Sequence, residues 1–178
     1  DSYINTNING ALNILTASKN LKLSKVIITS TSEIYGSAQY IPIDEKHPIN
    51  CQSPYAASKS AADLLSLSFY NSFGTPVTII RPFNTYGPRQ SARALIPTII
   101  TQILNKQKKI KLGNIYPTRD FNFVNDVAKS FVKSLTSKNS NGRIINIGSN
   151  HEISVENLVY KISKLVGTKI KIISDNNR

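Results

Sequence analysis

This chain has no methionine and no tryptophan, a single cysteine at Cys51, and ten acidic residues against 22 basic ones. One cysteine excludes an internal disulfide framework and suits a reducing, cytoplasmic setting. No His/Cys cluster accompanies Cys51, which argues against a metal centre. No apolar run reaches the ~20 residues that a helical bilayer span needs, so no membrane association is expected. The shortage of acid leaves a net charge of +12, which invites a polyanion partner. The lysines are scattered, however, at Lys19, Lys22, Lys25, Lys129, Lys133, Lys161 and Lys164. The densest group, Lys106, Lys108, Lys109 and Lys111, runs from the end of an expected helix into a strand. No aromatic-interleaved basic patch appears, and no zinc or helix-turn-helix spacing. The chain is rich in Ile, Asn, Lys and Ser together, a bias that accounts for the charge without a nucleic-acid partner. Its 178 residues, 40% hydrophobic, suffice for one ordinary domain with a core.

The apolar pattern alternates between helical and strand spacing. Ile8, Leu12, Leu15 and Ala17 recur at helical intervals. Lys25 to Ser30 is a short β-branched run, as is Pro76 to Arg81, and both read as buried strands. Between them a proline-spotted loop from about 37 to 53 leads into a helix that Gly74 and Pro76 stop near Phe73. Phe83 to Arg89 is rich in turn residues. Ala94 to Lys106 reads as a helix, Ile110 to Leu112 and Asp120 to Val124 as strands. Asn125 or Asp126 is the expected cap of a helix ending near Ser137. Arg143 to Ile147 reads as a strand, Ser154 as the cap of a last helix ending at Gly167, and Lys169 to Ile172 as a final strand. Strands alternating with helices predict an α/β chain with a doubly wound parallel sheet. His47 and His151 read as loop residues.

Within that frame, Ser53-Pro54-Tyr55-Ala56-Ala57-Ser58-Lys59 carries the most chemistry. Ser53 is a good helix cap and Pro54 a good first helical residue. Tyr55 and Lys59, four apart, then share one helix face. A free tyrosine titrates near ~10 and a lysine near ~10.4. A neighbouring positive charge favours phenolate, so the pair can serve as a base near neutral pH. By itself Y-x-x-x-K is a weak motif, more often an ordinary surface helix. Ligands of doubly wound sheets bind at the carboxyl ends of the strands. Thr31-Ser32-Glu33 follows one strand and Pro82-Phe83-Asn84 another, so these stretches and the Tyr55 helix are expected to converge on one crevice.

Taken together and in order, Ser30 to Gly36, Tyr55-x-x-x-Lys59, Arg81-Pro82-Phe83-Asn84-Thr85-Tyr86-Gly87-Pro88-Arg89, Arg119-Asp120-Phe121 and Asn146-Ile147-Gly148-Ser149 resemble the extended short-chain dehydrogenase/reductases of the NAD-dependent epimerase/dehydratase family. The resemblance covers nearly the whole chain. It is strongest to nucleotide-sugar 4,6-dehydratases. Among these, Gln39 to Glu45 and Ser91 to Ala94 look most like the UDP-N-acetylglucosamine 4,6-dehydratases of legionaminic-acid-type pathways. The resemblance implies a Rossmann-like sheet, NAD as cofactor, a nucleotide-diphosphate sugar as substrate and a homodimer through the Tyr55 helix. The family opens on a glycine-rich turn of the G-x-x-G-x-x-G type that receives the cofactor pyrophosphate. No such turn exists among the eight glycines. The expectation is therefore a middle-to-late piece, lacking its first βαβ units and inactive alone. Residues 1–89 would be the later part of the NAD-binding domain. Residues 90–178 would be mostly a substrate lobe, with about 120–150 returning to the first sheet.

The same resemblance implies roles. Tyr55 would take the proton of the sugar C4 hydroxyl. Lys59 would hold the nicotinamide ribose and lower the Tyr55 pKa, and Thr31 would bind the C4 oxygen. Glu33 would be the base for C5, beside Ser32, which stands where some dehydratases carry an aspartate. Pro82 and Phe83 would flank the cofactor. Asn84, Arg93 and Arg119 would bind substrate, Arg119 by pairing with the diphosphate. Two other readings use the same scaffold: a nucleotide-sugar 4-epimerase or decarboxylase, and an RNA-binding relative without catalysis.

Overall fold

The structure is a computed structural model that describes residues 1–174. The chain divides into two units, one formed by Asp1–Phe83 and Asn125–Gly148, the other by Asn84–Val124 together with the chain from Ser149 onward.

In the first unit the β-branched runs form strands as expected. Strands β1 (Val26–Thr29), β2 (Val77–Pro82) and β6 (Ile144–Ile147) make a parallel sheet in the order β1-β2-β6. Strand β2 is buried at every position from Val77 to Arg81, the mark of a parallel strand covered on both faces. Its core joins Leu15, Val26, Ile28, Val77 and Ile79 to Leu65, Leu67, Phe69 and Ile144. Helix α2 (Pro54–Phe73) begins as the sequence demands. The Ser53 side chain accepts from the Ala56 amide at 3.1 Å, Pro54 is the first helical residue, and Gly74 closes the helix at φ 67°. Its buried residues are small or polar: Ala56, Ser58, Ser60, Ala62, Asp63 and Ser66. Helix α1 (Gly10–Asn20) follows a wide-wound π-helical segment, Ile4–Asn9. Ala11, Leu15 and Ser18 are buried, while Leu12 and Ala17, expected on the apolar face, are exposed. Helix α4 (Val124–Thr136) precedes β6.

The second unit has β3 (Asn84–Tyr86), β5 (Thr118–Phe123) and β7 (Glu152–Ser154) in one sheet, and β4 (Lys109–Leu112) with β8 (Lys171–Ser174) in another. Helices α3 (Leu95–Leu104) and α5 (Val155–Val166) supply its core with Ile99, Ile103, Val155, Leu158 and Val159, against Ile110 and Leu112. Ser154 caps α5 by accepting from the Asn157 amide, and Gly167 closes it at φ 75°.

Several details depart from the expected pattern. The strands form three small sheets among the described residues, and β5 pairs with β7 antiparallel. Within the turn-rich stretch from Phe83 to Arg89, Asn84–Tyr86 forms a strand, because β5 offers it a parallel edge. Strand β5 runs straight into α4, so Asn125 and Asp126 lie in the first turn and not before it. The final strand is shifted to Lys171–Ser174 by its pairing of Lys109 with Lys171. Among the described residues no helix is long and apolar enough to cross a membrane.

Candidate active site

Strand β1 ends at Thr29, and the chain leaves it through Ser30 and Thr31 into a single 3-10 turn, Ser32–Tyr35. Thr31 starts that turn, its Oγ1 accepting from the Glu33 amide at 3.2 Å. Gly36 ends it at φ 66°, and a Cβ there would lie 2.2 Å from the Asn50 carbonyl oxygen, so only glycine fits. The turn is thereby closed against the loop that leads to α2.

The first turn of α2 faces this segment. The Thr31 hydroxyl and the Glu33 carboxylate both act on the Tyr55 phenol, the first favouring its ionised form and the second opposing it. Tyr3 packs edge-on against the Tyr55 ring at 5.7 Å. One helical turn further on, Lys59 Nζ donates to the Thr29 carbonyl at 2.9 Å. Tyr55 and Lys59 are both half-buried. The end of β2 lies beside the end of β1, with the Ser30 amide donating to the Ile80 carbonyl at 2.7 Å. Pro82 closes β2, and the Phe83 amide donates to Ile147 at 2.9 Å.

The electrostatics depart from the expected device. Burial holds the Tyr55 phenol above its ordinary value of 10.0. The Glu33 carboxylate adds to that rise, and the hydrogen bond from Thr31 opposes it. The expected lowering by Lys59 is not seen, because its ammonium is turned to the Thr29 carbonyl. Burial instead draws Lys59 below 10.5, against the pull of Asp63.

The structure thus brings Thr31, Glu33, Tyr55 and Lys59 together within the first unit, with Ser32 half-buried in the same turn. Pro82 and Phe83 belong to that unit too. Asn84, Arg93 and Arg119 belong to the second. Asn84 opens β3 opposite Phe121, Arg119 lies in β5 opposite Ile153, and Arg93 lies ahead of α3 with its amide on Ser91 Oγ. Both arginines are exposed.

Two groups escaped the sequence reading. One is His47, which lies in the loop as expected but is buried there. Its Nε2 accepts from the Gln39 amide at 2.9 Å, its Nδ1 contacts the Pro48 carbonyl, and Tyr35 and Tyr40 flank its ring. The other is the ion pair of Arg81 with Asp63, 3.0 Å apart and buried. Burial pushes the Asp63 carboxyl up, while Arg81, Ser30 and Lys59 pull it back. A signal existed: Asp63 follows Lys59 by four on α2, and Arg81 ends an otherwise apolar strand. Charges at such buried positions must be paired.

The profile of the GDP-mannose 4,6 dehydratase family matches residues 1–177. The chain belongs to that family. A relative described as a putative UDP-glucose 4-epimerase of Methanocaldococcus jannaschii is 35% identical over 97% of this chain and 57% of its own length. Among solved structures, the UDP-N-acetylglucosamine 4-epimerase of Methanobrevibacter ruminantium, in complex with UDP-N-acetylmuramic acid, superposes with a TM-score of 0.90 at 31% identity. The match covers 98% of this chain and 57% of that one. The dTDP-glucose 4,6-dehydratase of Bacillus anthracis, in complex with NAD, superposes at 0.89 and 32% identity, over 98% and 58%. The chain therefore spans just over half the length of these relatives. Members of the GDP-mannose 4,6 dehydratase family share its Rossmann-like α/β architecture with this chain.

Proposed function

We propose that the protein carrying this chain is an NAD-dependent nucleotide-sugar 4,6-dehydratase. The observation that supports it most is the placing of Glu33. A hydroxyl, a phenol and an ammonium suffice for redox chemistry at C4. Glu33 adds a carboxylate whose charge reaches the Tyr55 phenol, which is the extra group that an elimination needs.

Tyr55 takes the proton of the C4 hydroxyl, and Thr31 steadies that oxygen. Once C4 is a ketone, the C5 hydrogen is acidic. Glu33 removes it as hydroxide leaves C6 with a proton, so that one water is lost across C5 and C6, and Glu33 gives a proton back to C5 when C6 is reduced. Ser32, beside Glu33, is the nearest hydroxyl in sequence to supply that proton. The donor set fits the cofactor: Tyr55 and Lys59 present a hydroxyl and an ammonium one turn apart, suited to ribose hydroxyls. NAD supplies the chemistry of taking a hydride from C4 and returning it to C6. Pro82 and Phe83 flank the same strand ends.

In this reading the first unit is dinucleotide-binding and the second a substrate lobe. Asn84, Arg93 and Arg119 bind the diphosphate sugar there, a UDP-N-acetylhexosamine, a reading supported by the UDP-N-acetyl sugar of the M. ruminantium complex. The exposed apolar residues Leu64, Tyr70 and Phe73 of α2 suit a homodimer through that helix. The site of action is cytoplasmic. The 178-residue chain alone, without a glycine-rich turn, binds NAD weakly and does not turn over.

A second reading, 4-epimerization, is favoured by the names of two relatives and by Ser32 in place of an acid. Product analysis of the full-length protein separates them. Incubation with NAD and UDP-N-acetylglucosamine yields a 4-keto-6-deoxy sugar if the proposal is right, and the C4 epimer if the second reading is.

A further inference from the structure

The buried ion pair that the chemistry does not use fixes both ends of the segment that carries the chemistry. At the start of that segment, Ser30 Oγ donates to Asp63 Oδ2 at 2.9 Å. At its end, Arg81 Nη1 donates to the Tyr35 hydroxyl at 2.9 Å. The two anchors are joined, because Arg81 Nε donates to Asp63 Oδ2 at 3.0 Å with both side chains 2% exposed. The Tyr35 hydroxyl donates onward to Asn146 Oδ1 at 2.8 Å, and Asn146 is the register partner of Arg81 on β6. Between the anchors lie Thr31, Ser32 and Glu33.

We propose that Asp63, Arg81 and Tyr35 form a positioning clamp that holds Thr31 and Glu33 against Tyr55 for the reaction. The catalytic step it serves rests on the dehydratase reading above. A buried ion pair is a weak source of stability, since desolvation offsets the attraction. Its gain here is directional. The planar guanidinium grips Asp63 through one nitrogen and Tyr35 through another, which a lysine cannot do. Small misplacements of a catalytic group are costly, on the order of 10²-fold for about 1 Å. The same carboxylate also lies one helical turn beyond Lys59 and acts on its charge, so the clamp reaches Lys59 as well.

The test uses Tyr35→Phe and Arg81→Lys in the full-length protein. The first removes one oxygen. The second keeps a positive charge for Asp63 but not the double grip. Both are expected to lower kcat by roughly 10–100-fold with KM for the nucleotide sugar unchanged. Hydrogen exchange should quicken at the Glu33 and Gly36 amides while the β1–β2 ladder stays protected. A lysine that restores full turnover would overturn the clamp, as would exchange that quickens evenly through the sheet with kcat per folded molecule intact. If the parent shows no nucleotide-sugar chemistry, the functional reading fails. The clamp is then decided by exchange alone: local quickening upholds it and unchanged exchange refutes it. Should Arg81→Lys not fold, Tyr35→Phe carries the same outcomes.

Discussion

Lys59 Nζ donates to the carbonyl oxygen of Thr29 at 2.9 Å, and so ties the catalytic helix to the last residue of the strand that delivers Thr31. The ammonium is therefore committed to the Thr29 carbonyl and not to the phenol of Tyr55. Tyr55 in the free protein is governed by its burial, by Glu33 and by Thr31.

The first prediction concerns that phenol. In the free protein Tyr55 titrates above 10.0, because burial disfavours phenolate. Glu33→Gln removes a negative charge that opposes ionisation, so the Tyr55 pKa falls. Thr31→Val removes a hydrogen bond that favours the phenolate, so the pKa rises. Ultraviolet difference titration against Tyr55→Phe reads both. Shifts of the opposite sign would mean that the two side chains do not act on Tyr55 as the structure places them.

Substitutions at Tyr55 and Lys59 should separate. Tyr55→Phe is expected to cut turnover by at least about 10²-fold, the usual scale for a general base, with nucleotide-sugar binding retained. Lys59→Ala should lose bound NAD as well as rate, because it removes both a ribose donor and the tether to Thr29. Kinetics together with cofactor content after gel filtration check this. Full cofactor content in Lys59→Ala would remove Lys59 from the binding role.

Arg81→Met should be destabilising by about 3–5 kcal/mol, the range for stranding one buried charge. The loss should be pH-dependent in a defined sense. The Asp63 carboxyl is already raised by burial, and Arg81 pulls it down. Without Arg81 the folded pKa rises further above its unfolded value. The folded state then binds a proton that the unfolded state releases, so stability increases as pH falls through that window. Chemical denaturation near pH ~4 and ~7 should show the variant recovering part of its deficit at the acid end. A deficit independent of pH would mean that Asp63 is not the group left unpaired.

Much of this was legible before any coordinates. The β-branched runs from Lys25 to Ser30 and from Pro76 to Arg81 read as buried strands and contain β1 and β2, and Ser53-Pro54 with Gly74 bracket α2. The family followed from motifs in order. What escaped depends on contacts between distant segments. Asn84–Tyr86 has no strand signal of its own and becomes one only because β5 presents an edge. The buried face of α1 runs through Ala11, Leu15 and Ser18 and leaves Leu12 and Ala17 exposed. The direction of the Tyr55 shift was not legible, because the spacing of Tyr55 and Lys59 says nothing of where the ammonium points. His47 reads as a loop residue and is one, but its burial, like that of Asp63, follows from partners (Gln39, Tyr35 and Arg81) that only the fold assembles.

The central claim is that Glu33 is the base that makes this scaffold a dehydratase, and Glu33→Gln in the full-length protein tests it most directly. The parent is expected to exchange the C5 hydrogen of its nucleotide sugar with deuterated solvent and to release the 4-keto-6-deoxy product. In Glu33→Gln, exchange at C5 and product formation should both fall by roughly 10²–10⁴-fold, while the 4-keto sugar still forms. Near-parental exchange and product from Glu33→Gln would contradict the account.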